Sequence, residues 1–205
     1  MHMKKYFLLI LLFSCLFFSC SKPGDSIVQQ AIAAYSAQEY EKALDLFNQA
    51  LDSDTNYSDE LIYTFISNLY AAQDDIDNSI IFLEKALSTK PDYRGFVTLG
   101  MNYQAVGNLE KAEEFYNKAV SLDSEKGEAY ASLGTVYIET KDYKKAIEFL
   151  KKGTELEPKI AVIHGHLAVA YAKNNEIEKA NEELKIAEEL KCDNLEYFKE
   201  KIFNE

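Results

Sequence analysis

One pattern returns five times along this chain, and it leaves little freedom in what the chain can fold into. Ala43, Ser79, Ala112, Ala146 and Ala180 mark it, at spacings of 36, 33, 34 and 34 residues. Three residues before each marker stands an apolar residue: Tyr40, Ile76, Leu109, Tyr143 and Ile177. Four after it comes a large one: Phe47, Leu83, Tyr116, Leu150 and Leu184. Seven after it comes a small one: Ala50, Ala86, Ala119, Gly153 and Ala187. These offsets share one face of a helix. Twelve residues before the marker is a second small residue, Ala31, Ser67, Gly100, Gly134 or Ala168, on a preceding helix. Small residues on both helices let the backbones cross closely, and the large ones fill the space around the crossing. Each unit is therefore a helical hairpin whose apolar face needs neighbours of the same kind.

The spacing predicts helix pairs at 26–37 and 40–53, 59–72 and 76–88, and 94–105 and 109–121. Two more follow at 127–139 and 143–155, and at 160–173 and 177–190. No stretch keeps the alternation of a strand. With 3 prolines and 8 glycines in 205 residues the composition suits an all-helical chain.

The pattern resembles the tetratricopeptide repeat (TPR), a family with a period of about 34 residues. Phe96, Leu99, Gly100, Tyr103, Ala112, Tyr116 and Ala119 match its motif, as do Tyr130, Leu133, Gly134, Tyr137, Ala146, Leu150, Gly153 and Pro158. The second unit departs at Ser67 and Ser79. The fifth has His164 where the first aromatic belongs and Cys192 where Pro belongs, and the first is loosest. The resemblance implies an all-α, right-handed α-solenoid of five hairpins, at about 26–59, 60–92, 93–126, 127–160 and 161–192. A capping helix over 193–205 would close it by covering the apolar side of helix 177–190.

The front of the chain reads differently. Lys4 and Lys5 precede an apolar run from Tyr6 to Phe18, followed by Ser19 and Cys20. This is the layout of a secretory signal, and the run is short for a transmembrane helix. A small residue before Cys resembles the lipobox of bacterial lipoproteins, which implies cleavage after residue 19 and acylation of the Cys20 thiol. Cys15 fits less well, because cleavage there would leave Leu16, Phe17 and Phe18 on the mature chain. The plainer alternative is an ordinary cleaved signal with an incidental Cys. Residues 20–25 are then a short tether, in which Pro23 and Gly24 stop structure and Asp25 or Ser26 caps the first helix. Ser21 in place of Asp favours the outer membrane, facing the periplasm, in a cell that has one.

The chain carries 34 acidic and 22 basic residues, a net charge of −12. Such a balance argues against nucleic acid, which needs a basic stripe. It also argues against electrostatic docking on anionic lipid heads, leaving an acyl anchor as the route to a membrane. No catalytic constellation, metal-spaced histidine pair or phosphate-binding glycine loop is present, so no enzyme activity, metal or cofactor is expected. His164 and His166 are two apart and so point to opposite sides of a helix.

The TPR resemblance implies a concave groove lined by the first helix of each unit. The positions that carry over are Val28 and Ile32, Thr64 and Asn68, Val97 and Met101, Ala131 and Thr135, and Gly165 and Val169. Tyr35, Arg94, Gln104, Glu139 and His166 stand beside them. Val28 and Ile32 fall where a carboxylate clamp would need Lys and Asn. An apolar groove with a few polar points suits an amphipathic helix or an extended apolar segment. The expectation is a lipid-anchored, non-enzymatic scaffold of the bacterial cell envelope that binds another envelope protein. The alternatives are an assembly factor, such as a secretin pilot or outer-membrane assembly lipoprotein, and an adaptor for cell-wall hydrolases.

Overall fold

The computed structural model describes residues 21–203, and among these the chain forms eleven α-helices and no strand. The signal segment and Cys20 lie outside the described residues. The helices are α1 (Pro23–Ser36), α2 (Tyr40–Leu51), α3 (Asp59–Ala71), α4 (Ile76–Thr89), α5 (Tyr93–Ala105) and α6 (Leu109–Leu122). Then come α7 (Gly127–Glu139), α8 (Tyr143–Leu156), α9 (Ala161–Lys173), α10 (Ile177–Glu189) and α11 (Leu195–Phe203). None is long and apolar enough to cross a membrane. The described residues divide into two compact units, one up to residue 86 and one from residue 87.

Each hairpin turns the same way. Gln38, Asp74, Gly107, Lys141 and Asn175 all have φ between 59° and 77°, and only one is glycine. A left-handed residue ends the first helix and lets the next amide fold back onto its last turn. The Glu39 amide donates to the Ala34 carbonyl at 2.9 Å, Asn108 to Tyr103 at 2.8 Å and Glu176 to Tyr171 at 2.9 Å. Side chains then cap the second helix. Asn108 accepts from the Lys111 amide, and Asp142 from the Lys145 amide.

In the first unit, Val28, Ala31, Ala34, Ala43, Phe47, Ala50, Ile62, Ile66 and Leu69 form a core. The two serines that break the motif, Ser67 and Ser79, are buried there and satisfy each other. The Ser67 hydroxyl lies 2.9 Å from the Ser79 carbonyl and 3.0 Å from its hydroxyl. Hydroxyls at a close crossing cost little when they pair.

The start of α1 corrects the expected tether. Pro23 and Gly24 do not stop structure but form its first turn, because Pro is tolerated where an amide has no helical partner. Asp25 is not the N-cap. It sits three residues in, buried, and accepts from the Lys22 amide at 3.0 Å. It also accepts from the Thr55 hydroxyl at 2.8 Å and from the backbone and side-chain amides of Asn56, both at 2.7 Å. Gly24 N–H donates to the Asp54 carbonyl, and Lys22 Nζ lies 2.7 Å from the Asp54 carboxylate. The long connection between α2 and α3 is thus a clasp for the first helix.

In the second unit the small-against-large rule sets the crossings. A Cβ built on Gly100 would lie 2.5 Å from the Tyr116 ring, and one on Gly134 2.4 Å from Leu150 Cγ. A ring ladder runs beside them. Tyr103 stacks on Phe115 at 5.5 Å and Tyr137 on Phe149 at 5.3 Å, as Tyr70 does on Phe82 at 5.5 Å within the first unit. Lys111, Lys145 and Lys179 lie 4.5, 4.9 and 5.3 Å over Tyr103, Tyr137 and Tyr171. In the last hairpin the ladder changes chemistry. His164 stands in register with Phe96 and Tyr130, and Glu183 with Phe115 and Phe149. The His164 ring hydrogen-bonds the Glu183 carboxylate at 2.6 Å, and its other nitrogen faces the Pro158 carbonyl at 3.1 Å. The two exceptions to the pattern are one paired replacement.

The capping helix α11 does not simply cover α10. Phe198 is 1% exposed and packs with Ala168, Val169 and Leu184, so it spans both helices of the last hairpin. It seats on Gly165, where an added Cβ would lie 2.3 Å from the ring, and meets His166 edge-on at 5.0 Å. Only a residue without a side chain leaves room for that ring.

Gly134→Ala should cost about 1–3 kcal/mol in chemical denaturation, because Leu150 must move. The loss in Gly134→Ala/Leu150→Ala should be smaller than the sum of the two single losses. Four donors hold the Asp25 carboxyl well below its ordinary range, with the Asn56 amide contributing most. A carboxyl depressed in the folded state contributes stability above its unfolded pKa of about 4, and that contribution is lost as the pH falls through the folded value. Asp25→Asn should therefore melt below wild type at pH 7, and the two melting curves should converge in acid.

Candidate functional site

The groove residues of the second unit come from two registers on three helices. Met101, Thr135 and Val169 share one register on α5, α7 and α9, and Arg94, Glu128 and Val162 share another. Between these helices lies an open cleft of about 500 Å³. Met101, Ile160 and Val162 supply its apolar surface and are 56, 45 and 38% exposed, unusual for side chains of this type in a cluster. Ala131, Ser132, Thr135 and His166 continue the floor, and Glu128 and Glu157 stand on the wall.

A hydrogen-bond chain stiffens that wall. The Tyr116 hydroxyl donates to Gln104 Oε1 at 3.0 Å. Gln104 Nε2 then donates to the Thr135 hydroxyl at 3.3 Å and to the Glu139 carboxylate. Burial pushes the Tyr116 phenol up to about 12, so it stays a donor and fixes which way the amide faces. The residue that fills the Gly100 crossing thus orients a polar group in the groove.

A second cleft of about 340 Å³ adjoins the first and shares Thr135 and His166 with it. Ile138, Glu139, Lys141, Tyr143, Val169 and Lys173 line it, and α11 adds Tyr197 and Lys201. Burial holds His166 down at about 4, so the imidazole is neutral at physiological pH and serves as an aromatic floor.

The structure separates the groove candidates. Val97 is 3% exposed and belongs to the core beneath the groove, and Val28, fully buried, belongs to the core of the first unit. Gly165 is buried under Phe198, and Val169 is buried but borders the second cleft. Met101, Gln104, Thr135, Glu139 and His166 come together around the two clefts, while Arg94 is exposed outside them. In the first unit Asn68 is exposed. Ile32 and Tyr35 are half-buried against the core, Tyr35 among the rings of Tyr40 and Phe65. Thr64 turns its hydroxyl back to the Glu60 carbonyl. Sequence reasoning missed Glu128 and Val162, although the spacing from Arg94 pointed at both. It also missed Tyr197 and Lys201, for which no repeat register exists. Among the described residues no group of three His, Cys, Asp or Glu could hold a metal. Cys192 is half-buried beside Phe198.

Comparison with known proteins agrees with this fold. Tetratricopeptide-repeat family models match residues 61–93 and 94–159, and neither is a catalytic family. Over 106 residues, 51% of this chain, the sequence is 29% identical to the heat shock protein STI1 of Saccharomyces cerevisiae. Over 97 residues it is 27% identical to the sti1 homolog of Schizosaccharomyces pombe. The matches span only 18% and 16% of those proteins' lengths. Among solved structures, MamA superposes with a TM-score of 0.72 at 19% identity, covering 83% of this chain and 93% of MamA. YrrB, described as a TPR protein with an unusual peptide-binding site, gives 0.69 at 24% identity, covering 85% and 90%. At these identities the likeness is one of fold.

His166 predicts a pH dependence. Its folded pKa lies below the unfolded value near about 6.5, so the unfolded chain binds the proton first and stability falls between about pH 6.5 and pH 4. His166→Gln should flatten that part of the stability profile. The fold class is the all-α tetratricopeptide solenoid, and residues 61–159 of this chain are tetratricopeptide repeats.

Proposed function

We propose that this protein is a non-enzymatic scaffold, anchored in a bacterial envelope membrane through acylated Cys20, that holds a partner segment in the groove of its second unit. The observation that carries the reading is the cleft between α5, α7 and α9. Three exposed apolar side chains gather there beside a wall whose polar groups are already ordered. Preorganisation of this kind lowers the ordering cost of binding. The repeat family gives general support for protein binding, and YrrB offers a precedent within the fold for a peptide site.

The anchor rests on the lipobox-like sequence at Ser19–Cys20. With α1 starting at Pro23, only Ser21 and Lys22 would separate the acylated residue from the first helix. The repeats would then stay within a few ångströms of the lipid surface, and a bound partner would be concentrated there. The partner would be another envelope protein presenting a peptide or amphipathic helix.

A photo-reactive residue at Thr135 should cross-link one envelope protein from native membranes, and the same residue at Lys145, exposed on α8, should not. Capture from Lys145 alone would move the binding surface to the outer face. Cys20→Ala should shift the protein from the membrane to the soluble fraction. Unchanged fractionation would remove the acyl anchor from the reading.

A further inference from the structure

The two adjoining clefts form one furrow, and its charge changes sign along its length. The first cleft is lined by Glu128 and Glu157 and by no lysine or arginine. Lys126, just ahead of α7, is held elsewhere, 4.3 Å over the Tyr93 ring and 3.4 Å from Asp123. The second cleft is lined by Lys141, Lys173 and Lys201 and by a single carboxylate, Glu139, which already accepts from Gln104. Thr135 and His166 lie where the two meet. His166 is neutral at physiological pH, so the junction carries no charge and sets an aromatic ring beside the Thr135 hydroxyl.

We propose that this furrow binds a peptide segment in one direction only, with an apolar centre, a basic side chain toward Glu128 and Glu157, and an acidic side chain toward Lys141 and Lys173. The proposal rests on the groove being the binding surface. Glu128 lies in the first turn of α7, and Lys141 is the turn residue just past its last residue, Glu139. The helix between them spans roughly 17 Å, the length of about five extended residues. A segment of that length with the charges in this order meets opposite charge at both ends. The reversed order meets like charge at both ends, which opposes binding and sets direction. The apolar centre meets Met101, in register with Thr135, and the His166 ring, while Ile160 and Val162 flank the acidic end.

The test is selection of a displayed random 12-residue peptide library on the purified full chain. Thr135→Trp, which plugs the junction, serves as the counter-screen, and melting temperatures confirm that every variant folds. Peptides lost with Thr135→Trp should carry a basic and an acidic residue in one constant order around apolar residues. Glu128→Gln/Glu157→Gln should weaken them roughly three- to tenfold. Glu128→Lys/Glu157→Lys should select acidic residues where basic ones stood. Groove-dependent peptides without a charge order, or unchanged by the charge reversal, would overturn the polarity and leave the groove reading standing. If no selected peptide depends on Thr135, both fail.

Discussion

The contact on which the second unit depends is a small residue on one helix receiving a large one from its hairpin partner. Gly100 takes the ring of Tyr116, and Gly134 takes Leu150, at distances where no Cβ could stand. Such a contact brings two backbones together and leaves a flat apolar face for the next hairpin. A longer side chain at the glycine would push the helices apart and pass the displacement on to the neighbouring pair. Gly165 applies the same rule at the end of the array, where it admits Phe198 and so seats α11 across the last hairpin.

That crossing also reaches the groove. Tyr116 is buried as a space-filler, yet its hydroxyl emerges beside Gln104 and fixes the amide that meets Thr135 and Glu139. The packing rule therefore sets the polarity of the wall. The apolar side chains that remain exposed there, Met101, Ile160 and Val162, belong to positions the hairpin layer does not use. A repeat needs the same residues inside in every unit but leaves its inner surface free to vary. Arg94, Glu128 and Val162 occupy one register with three different chemistries.

Repeat packing also tolerates exchange when both partners change together. His164 and Glu183 stand where three units have aromatic pairs, and Ser67 and Ser79 stand where others have Ala or Gly. In each case two departures from the motif satisfy one another, the serines inside the core and the His164–Glu183 pair at its edge.

Helix positions, hairpin turns and most of the core were legible in the sequence, because a 34-residue period repeated five times identifies the buried face by registry alone. Helix ends fell within three residues of expectation, and the markers Ala43, Ala112, Ala146 and Ala180 are fully buried as their register implied. The groove was legible only in part. A helical position can be assigned to a face, but Val97 shows that the same register does not tell a side chain resting on the groove from one packed under it. The clasp around Asp25 joins residues about thirty apart through unpatterned loop atoms, which no periodicity marks. The amino-acid sequence by itself determined that this chain is a stack of helical hairpins, because hydrophobic spacing is local and repeated. Only the tertiary structure decided where the acidic and basic ends of the furrow lie, because Glu157 comes from the cap that closes α8, and Lys201 and Tyr197 from a terminal helix outside the repeat register.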